Sequence, residues 1–430
     1  MALTAEQNDL LTRVGPGTPC GELMRRYWQP AALVEEIPPG GAPIPVRLLG
    51  EDLVLFRPDP SGRPDASGRD EAGTPGLLGL HCAHRGADLS YGRVEDGGLR
   101  CIYHGWLYDV RGRCLEQPGE PAVGARHAVA FHERIRHVAY PCREAGGIVF
   151  AYMGPGEPPL LPAYEALTLP EEHRQADKFW LDCNYLQGLE GSIDPTHLSF
   201  LHTNLGGGGS PSNRHFLQDR APTIEVEETD FGLRIMAARN AEPGQTYLRV
   251  SNFILPVLAS IPTGPMRQNG YTINFHVPID DTHHWNYMLE FDRARPMNER
   301  IMDTREMADG YRIVQDRENR YLQDRASMKQ SFSGMGRSFS AQDACVTEGA
   351  GPIQDRTQEH LGYSDRAILA ARDLLMRAMQ GAQTGADPAH VLRDPAANRF
   401  PHLVVINDIV PNSDWRGRWK DALRRDPVRA

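Results

Sequence analysis

Two short segments, each pairing a cysteine with a histidine, lie between residues 81 and 106 of this chain. The first reads Cys-x-His, sixteen residues follow, and the second reads Cys-x-x-His. A [2Fe-2S] cluster in which one iron takes two thiolates and the other takes two imidazoles needs two such pairs, and the imidazoles raise its reduction potential. Structural zinc sites, the alternative, more often show C-x₂₋₄-C or H-x₃₋₅-H spacings. The pattern therefore predicts a Rieske-type [2Fe-2S] cluster with four ligands: Cys82, His84, Cys101 and His104.

The composition excludes several classes of partner. The length of 430 residues is typical of two or three domains. The net charge of −10, from 46 Lys and Arg against 56 Asp and Glu, repels nucleic acid and anionic membranes, so neither is expected as a partner. No apolar run approaches the ~18 residues of a membrane span, and the first residues lack a signal-peptide pattern. Since seven cysteines are an odd count for a secreted disulfide framework, we expect a cytoplasmic protein.

Turn residues and apolar runs divide the chain into two main parts. Residues 1–40 form an N-terminal segment whose first helix is capped by Thr4. Residues 41–155 consist of β-like runs with glycine turns, and the proline-rich stretch 155–162 follows as a linker. Residues 164–430 mix strand and helix patterns, which predicts an α+β domain with an antiparallel sheet and helices. The predicted strands of this second domain are 233–237, 247–255, 271–277 and 284–291, and its predicted long helices are 298–329 and 364–379.

A second group of metal-binding residue types lies early in the predicted α+β domain. Asp194 precedes His197, and His202 follows after four further residues, with Glu190 one helical turn before Asp194. The histidine spacing alone is weak evidence, because it recurs between other histidines of the first domain, namely His127, His132 and His137. A proline after Asp194 starts a helix, on which the two histidines would lie roughly 140° apart. Both rings therefore face one metal only if the helix widens or ends between them.

Two histidines and one carboxylate form the facial triad of non-heme Fe(II) oxygenases, which leaves coordination positions open for O₂. The carboxylate should come from a distant segment of the chain. The residues that follow Ser340 offer three candidates, Asp343, Glu348 and Asp355. The residue types alone leave this choice open.

The segments HCAHRGADL and LRCIYHGWLYD closely resemble the cluster motif of Rieske non-heme iron aromatic ring-hydroxylating oxygenases, in their large (α) subunit. The segment SAQDACVTEGAGPIQDRTQEHLG resembles the C-terminal motif of the phthalate dioxygenase-like branch, in which the aspartate of a D-x₄-E pattern binds the iron; that position is Asp343 here. The chain departs from this branch at 349–351, which read Gly-Ala-Gly where Ser-Met-Gly is frequent, and in the stretches 59–75 and 206–209.

The resemblance implies a terminal oxygenase component, because O₂ cleavage at a mononuclear iron needs electrons that a Rieske cluster supplies. It implies that these electrons come from NAD(P)H through a separate flavin and iron–sulfur reductase. The chain itself shows no dinucleotide fingerprint, since the glycines at 206–209 lack the strand–GxGxxG–helix context. The implied substrate is aromatic and often carboxylated, and it is either cis-dihydroxylated or O-demethylated. The implied assembly is a homotrimer or a hexamer of two stacked trimers.

Two interpretations remain open for each of two residues and for the overall function. By resemblance, Asp194 bridges the metals by accepting hydrogen bonds from His197 and from His104 of the partner subunit, whereas its position alone indicates a helix N-cap. Arg249, on a predicted strand, is a candidate clamp for a substrate carboxylate, or else a solvated sheet-edge residue. The alternative function is a Rieske electron-transfer or ligand-binding protein without oxygenase activity. About two irons per chain, rather than three, would indicate that alternative.

Overall fold

The computed structural model describes residues 2–60, 73–120, 131–205, 211–262, 269–297 and 306–420. The stretch 206–209 lies outside these ranges, as do most of 59–75, the first part of the predicted helix 298–329, and His127. The helices are α1 (Ala5–Thr12), α2 (Pro19–Arg25), α3 (Glu165–Thr168), α4 (Tyr185–Ile193), α5 (Pro211–Gln218), α6 (Phe339–Gly349) and α7 (Arg366–Gln383).

Three small antiparallel sheets make up the first part of the chain, as the mostly-β prediction expected. Their strand orders are β2-β3-β4-β9, β5-β6-β7-β8 and β1-β11-β10. The strands are β1 (Gln29–Leu33), β2 (Ile44–Leu48), β3 (Glu51–Phe56), β4 (Gly76–Gly79), β5 (Arg93–Glu95), β6 (Gly98–Arg100), β7 (Leu107–Tyr108), β8 (Cys114–Glu116), β9 (Ala139–Tyr140), β10 (Cys142–Ala145) and β11 (Ile148–Ala151). The connection from β4 to β5 and the connection from β6 to β7 carry the two Cys–His pairs.

One large antiparallel sheet dominates the second part, which confirms the predicted α+β fold. Its order is β12-β18-β17-β16-β15-β14-β13, and β21 also pairs with β15. The strands are β12 (Arg174–Leu181), β13 (Thr223–Glu228), β14 (Gly232–Asn240), β15 (Gln245–Ile254), β16 (Leu258–Ile261), β17 (Thr272–Pro278), β18 (His284–Phe291) and β21 (Ile406–Pro411), with a small separate pair β19 (Met307–Ala308) and β20 (Arg312–Ile313). The four strands predicted for this domain correspond to β14, β15, β17 and β18.

The predicted helix 298–329 is wrong over its described part. Residues 306–329 form β19, β20 and several 3₁₀ turns. Gly310 adopts a φ of +70°, and Asp316 and Asn319 each accept a hydrogen bond from the other's backbone N–H, at 2.9 and 3.0 Å. Such local side-chain bonds compete with the helical hydrogen-bond ladder. The second predicted helix, 364–379, is present as α7.

Helix α4 packs on one face of the large sheet, where Gly188 makes a close approach possible. A Cβ at Gly188 would lie 2.5 Å from His284 Nε2 and 2.6 Å from His276 Nδ1. The two buried imidazoles form a directed chain: His284 Nδ1 donates to the Cys183 carbonyl at 2.8 Å, so its Nε2 accepts from His276 Nδ1 at 3.2 Å. His276 Nε2 in turn accepts from the Ser192 hydroxyl at 2.8 Å. These hydrogen bonds anchor α4 to β17 and β18.

The apolar core is continuous between the two parts of the chain. Phe150 of β11 packs against Phe275 of β17 with ring centroids 5.9 Å apart. Among the described residues, no helix is both long enough and apolar enough to cross a membrane.

Candidate functional site

The two Cys–His loops have the same backbone hydrogen-bond pattern. In each loop the cysteine N–H donates to the carbonyl five residues later, at 2.8 Å for Cys82 and 2.9 Å for Cys101. The glycine four residues after each cysteine donates back to the cysteine carbonyl, at 2.9 Å for Gly86 and 3.0 Å for Gly105. Both glycines have positive φ, +72° and +75°, a conformation that favours glycine. The loops therefore present their cysteines and histidines as two matched arms.

The four side chains of the arms converge. The rings of His84 and His104 lie 4.5 Å apart, centroid to centroid, at an angle of 71°. Cys82 and Cys101 are 3% and 2% exposed, whereas both histidines are only partly buried. Burial, together with the neighbouring Cys101 thiol, raises the pKa of Cys82. His84 Nδ1 is buried and has no hydrogen-bond partner in the described structure, as expected of an atom that serves as a metal ligand.

Aromatic side chains surround this first site. The Trp106 ring stacks on His84 with centroids 4.5 Å apart and planes only 6° from parallel. The Tyr108 hydroxyl lies 3.2 Å from the Cys82 sulfur. Because a hydroxyl that donates to a ligand sulfur withdraws electron density from it, Tyr108 is placed to raise a cluster's reduction potential.

The helix predicted to start at the proline after Asp194 is reduced to a single turn. Helix α4 ends at Ile193, and a separate 3₁₀ turn, His197–Ser199, ends between the two histidines. This break lets both rings face Asp343 of α6: His202 Nε2 lies 3.1 Å and His197 Nε2 lies 3.9 Å from Asp343 Oδ1. One ligand atom from each of these three residues falls within 4.8 Å of the others. Two imidazoles and one carboxylate thus meet at one point.

Gln342, which sequence reasoning missed, fixes the orientation of His202. Its Oε1 lies 2.7 Å from His202 Nδ1, and its Nε2 donates to the Gly336 carbonyl at 2.9 Å. Because the Gly336 bond assigns the amide oxygen to His202, Nδ1 is the donor, and His202 Nε2 is left as the lone-pair atom that faces Asp343. The contact joins residues 140 positions apart, so no local sequence pattern indicated it.

Asp194 caps the metal-binding turn and lies beside His197, whereas its bridge to the partner subunit's His104 stays a prediction. Its Oδ1 accepts from the Thr196 N–H at 2.7 Å and its Oδ2 from the His197 N–H at 3.3 Å, which caps the turn. The same Oδ2 lies 3.5 Å from His197 Nδ1, a long distance for a hydrogen bond but within ion-pair range. Burial alone would raise the pKa of Asp194, but His197 and the backbone N–H groups lower it overall. The carboxylate therefore stays ionised beside the imidazole.

The other candidate carboxylates lie elsewhere. Glu190 is buried between two arginines, 2.9 Å from Arg356 Nη2 and 2.6 Å from Arg372 Nε. Glu348 accepts from the Tyr321 hydroxyl at 2.5 Å. Asp355 caps a 3₁₀ turn by accepting from the Thr357 N–H at 3.0 Å. Of the three carboxylates considered after Ser340, the structure brings only Asp343 to the histidines.

Arg249 lies on β15, where its guanidinium is centred 5.7 Å from the Phe216 ring. It is partly buried, and its Nη2 donates to the Pro262 carbonyl at 3.3 Å. Arg249 therefore does not behave as a solvated edge residue, since β15 pairs with β14, β16 and β21. The guanidinium of Arg239, on β14, also lies near this ring, 4.9 Å from its centre.

Arg239, also missed by sequence reasoning, links this arginine pair to the metal-binding turn. Its Nη2 donates to the Pro195 carbonyl at 2.6 Å and to the Ser199 hydroxyl at 3.1 Å. Its Nε and Nη1 are buried and have no hydrogen-bond partner among the described residues. Burial and the nearby charge of Arg249 lower the pKa of Arg239 to about 10. Unmatched guanidinium donors next to a second cation attract an anion.

Comparison with known proteins gives family matches that cover nearly the whole chain. Residues 27–140 match the Rieske [2Fe-2S] domain family, and residues 151–426 match a family described as LigXa C-terminal domain like. The chain is 38% identical to the oxygenase subunit of phthalate 4,5-dioxygenase from Pseudomonas putida, over 96% of this chain and 94% of that protein. It is 36% identical to the oxygenase subunit of 5,5'-dehydrodivanillate O-demethylase from Sphingobium sp., over 94% of this chain and 87% of that protein.

A solved structure shares the fold. It is the reduced complex between oxygenase and ferredoxin in carbazole 1,9a-dioxygenase, with a TM-score of 0.57 and 20% identity, over 91% of this chain and 99% of that chain. Oxygenase components of this kind work with a separate electron-transfer partner. The matched loops, the histidine–aspartate cluster and these relatives lead to one conclusion: the chain belongs to the Rieske non-heme iron oxygenases, as an oxygenase subunit with a [2Fe-2S] cluster domain and a mononuclear iron domain.

Proposed function

We propose that this chain is the terminal oxygenase component that uses O₂, and electrons from NAD(P)H delivered by a separate flavin and iron–sulfur reductase, to hydroxylate an aromatic substrate. The observation that carries the proposal is the clustering of His197, His202 and Asp343 within 4.8 Å in a chain that also has two Rieske loops. A carrier of electrons alone needs no second ligand set of this kind.

The [2Fe-2S] cluster would be held by the two arms, with the thiolates of Cys82 and Cys101 on one iron and the imidazoles of His84 and His104 on the other. The donor set fits, because both thiols are buried and His84 Nδ1 lacks any partner in the described structure. When bound, the cluster supplies one electron at a time to the chemistry. The residues' own contribution is to hold the ligands in matched loops and to tune the potential through Tyr108.

The mononuclear Fe(II) would be held by His197, His202 and Asp343, whose donor types fit the facial triad. When bound, the iron supplies the site at which O₂ is activated. The protein's part is positional: Gln342 accepts the Nδ1 proton of His202 and so keeps its Nε2 free. The carboxylate of Asp343 lies on α6 and the histidines follow α4, so the packing of these two helices sets the ligand separation.

The bridging role of Asp194 is part of the same proposal. Its carboxylate would hold His197 through Nδ1 and would accept a second hydrogen bond from His104 of the partner subunit. Its partial exposure supports this, since a contact from outside can reach it. The ionised state of Asp194, maintained by His197, suits an acceptor that serves two imidazoles.

We propose that the chain assembles as a homotrimer or hexamer in which the cluster loops of one subunit contact the iron domain of the next. Three large apolar side chains are exposed around the loops: Tyr91, Ile102 and Tyr103. An open groove runs beside Asp194 and is lined by Gly191, Val346, His360 and Leu361. Exposed apolar patches of this kind mark interaction surfaces. If these exposed side chains of one subunit contact the groove of the next, the partner subunit's His104 lies near Asp194.

The substrate class follows from the arginine pair. Arg249 and Arg239 flank the Phe216 ring, and Arg239 also holds the turn that carries His197. We propose that Arg249 binds a carboxylate on an aromatic substrate, with Arg239 supplying further positive charge. The relatives include a phthalate dioxygenase and an O-demethylase, so cis-dihydroxylation and O-demethylation are both proposed as reaction types. We also propose a cytoplasmic location, where thiols stay reduced; all seven cysteines are free in the structure.

The metal content tests the function directly. The purified enzyme should contain about three irons and two acid-labile sulfides per chain, whereas a carrier would contain about two irons. With reductase, NAD(P)H and O₂, it should oxidise members of a panel of aromatic acids and methoxylated aromatics. His202→Ala should keep the cluster's visible absorbance and lose turnover. Loss of the cluster absorbance in a folded His202→Ala protein would contradict the two-site model.

A further inference from the structure

The side chain of Gln117, the residue after β8, is a buried amide without hydrogen-bond partners. Gln117 is 8% exposed. Its Nε2 and Oε1 atoms are both buried, and neither makes a hydrogen bond in the described structure. Among the described amide side chains, only this one is buried and unpartnered at both atoms. Since an unsatisfied buried amide costs about 1–3 kcal/mol, its partner is expected outside the polypeptide.

The small sheet β5-β6-β7-β8 places Gln117 on the same face as a cluster ligand. Its strand register brings the residues just beyond the ends of β6, β7 and β8 into one row: Cys101, Trp106 and Gln117. The Cys101 N–H donates to the Trp106 carbonyl at 2.9 Å, which continues the ladder along this row. Because opposite residues of an antiparallel pair project on one face, Gln117 shares its face with the Cys101 thiol. The Trp106 ring on that face stacks on His84.

Two contacts hold Gln117 beside the cluster loops. Pro118, the next residue, packs against Gly105, which follows His104: a Cβ at Gly105 would lie 2.7 Å from Pro118 Cγ. The Gln117 amide also lies near the Cys114 thiol, whose pKa burial raises to about 11 while Gln117 opposes the rise. That contact does not have the geometry of a hydrogen bond, so the amide stays unsatisfied. Its N–H groups are therefore unused next to the loops.

The acceptors that this amide lacks are available on a bound [2Fe-2S] cluster. The sulfur atoms of such a cluster accept hydrogen bonds, and these bonds are among the factors that set its reduction potential. Two strand spacings, roughly 10 Å, separate the backbones of Gln117 and Cys101. The long glutamine side chain and a cluster held by Cys101 lie within this gap, on the same face of the sheet.

We infer that Gln117 Nε2 donates a hydrogen bond to a sulfur atom of the [2Fe-2S] cluster and thereby raises the reduction potential of the cluster. The inference rests on the cluster ligands of the proposed function and adds a residue that lies outside both Cys–His loops. An N–H dipole directed at sulfur stabilises the reduced cluster, which carries one more negative charge than the oxidised cluster. Gln117 would thus act in the same direction as Tyr108, whose hydroxyl lies 3.2 Å from the Cys82 sulfur.

The reduction potential of the cluster is the direct measure of this contact. Gln117→Met keeps a long flexible side chain but removes the donor. The cluster-loaded variant should hold its electron about tenfold less tightly, which is a fall of about 59 mV in the midpoint potential for one electron. Spectroelectrochemical titration measures this shift. An unchanged potential, or a folded Gln117→Met protein that fails to retain the cluster, would overturn the inference.

Isotope labelling tests the same contact in the wild-type enzyme, where no substitution disturbs the fold. With ¹⁵N in the side-chain amides of glutamine, pulsed EPR of the reduced cluster should detect a weakly coupled ¹⁵N nucleus. The coupling should disappear in Gln117→Met. A wild-type enzyme without glutamine coupling, or a coupling that persists in the variant, would show that the inference is wrong.

Gln187→Met is the matched control for a purely structural role. Gln187 is also buried, but its Nε2 donates to the carbonyls of Thr347 and Gly351 at 2.7 and 2.9 Å, and its Oε1 accepts from the Gln354 N–H at 2.9 Å. Gln187→Met should therefore melt lower than wild type and keep the wild-type potential. Gln117→Met loses no hydrogen bond within the chain and should melt closer to wild type. An equal loss of melting temperature in Gln117→Met with no change in potential would contradict the inference.

The proposed function and this inference fail in different ways. If the purified protein shows no EPR signal of a Rieske cluster, both fail. If it shows the signal and oxidises aromatic substrates, but Gln117→Met leaves the potential unchanged, only the inference fails.

Discussion

Replacing Asp194 by Asn separates the capping role of this residue from its bridging role. The capping bond to the Thr196 N–H, 2.7 Å in the structure, needs one side-chain oxygen, and Asn caps about as well as Asp. The second oxygen, 3.3 Å from the His197 backbone N and 3.5 Å from its Nδ1, becomes an NH₂ donor that faces two N–H groups. Because both distances are long, the cost should be only about 1 kcal/mol, a shift in melting temperature below about 3 °C.

The functional cost should be much larger than the stability cost. Loss of a group that orients a metal-bound histidine typically reduces affinity or activity by 10–100-fold. We therefore expect turnover of Asp194→Asn to fall by at least about tenfold, while the cluster's absorbance and its reduction by the reductase stay normal. Single-turnover spectroscopy should show that the reduced cluster is no longer reoxidised when substrate and O₂ are added.

Asp355→Asn is the matched control for this experiment. Asp355 caps a 3₁₀ turn with the same bond, from the N–H two residues on, at 3.0 Å, and it is not among the histidine contacts. The Asp355→Asn enzyme should keep wild-type turnover. Turnover of Asp194→Asn at close to the wild-type rate would refute the bridge and leave Asp194 as a cap alone.

Three further substitutions test other parts of the site. Gln342→Leu removes the acceptor for His202 Nδ1, so iron affinity at the second site should fall by about 10–100-fold and iron content should approach two per chain, as measured by metal analysis. Gly188→Ala would place a Cβ 2.5 Å from His284 Nε2 and should lower the free energy of unfolding by about 1–3 kcal/mol in urea denaturation; an unchanged midpoint would contradict the close packing. Glu190→Gln leaves the buried Arg356 guanidinium without its carboxylate partner, while Arg372 keeps Glu359, and should cost about 3 kcal/mol by the same method; a cost near zero would mean that solvent compensates the charge.

The cluster loops could be predicted from the sequence, because each ligand pair and its turn lie within a few consecutive residues. Each Cys–His pair spans three or four residues, and the glycines Gly86 and Gly105 mark the turns that the backbone bonds require. The strands of the large sheet could also be predicted, since alternation of apolar and polar residue types is a property of consecutive positions. The histidine pair predicted that a helix widens or ends between the two rings, and the 3₁₀ turn that begins at His197 does end between them, at Ser199.

Contacts between residues far apart in the sequence could not be predicted from it. Glu190 was grouped with the metal-binding residues by its proximity to Asp194, but two arginines more than 160 residues away neutralise it in the core. Gln342 and Arg239 gave no signal because their partners lie in other elements. The failed helix at 298–329 has a different cause: its charged residues suit a helix face, while Asp316 and Asn319 bond the local backbone instead.

The buried ion pairs of Glu190 have a consequence for the order in which the chain folds during synthesis. All three sheets of the cluster domain are complete once residue 151 has been translated. The iron domain is completed much later, because burial of the Glu190 carboxylate needs its partners Arg356 and Arg372, and β15 gains its last neighbour only with residues 406–411. A ribosome that adds about 5–20 residues per second leaves an interval of roughly ten seconds or more between the two. Cluster assembly on the nascent chain can therefore precede iron loading, which has to follow release of nearly the whole polypeptide.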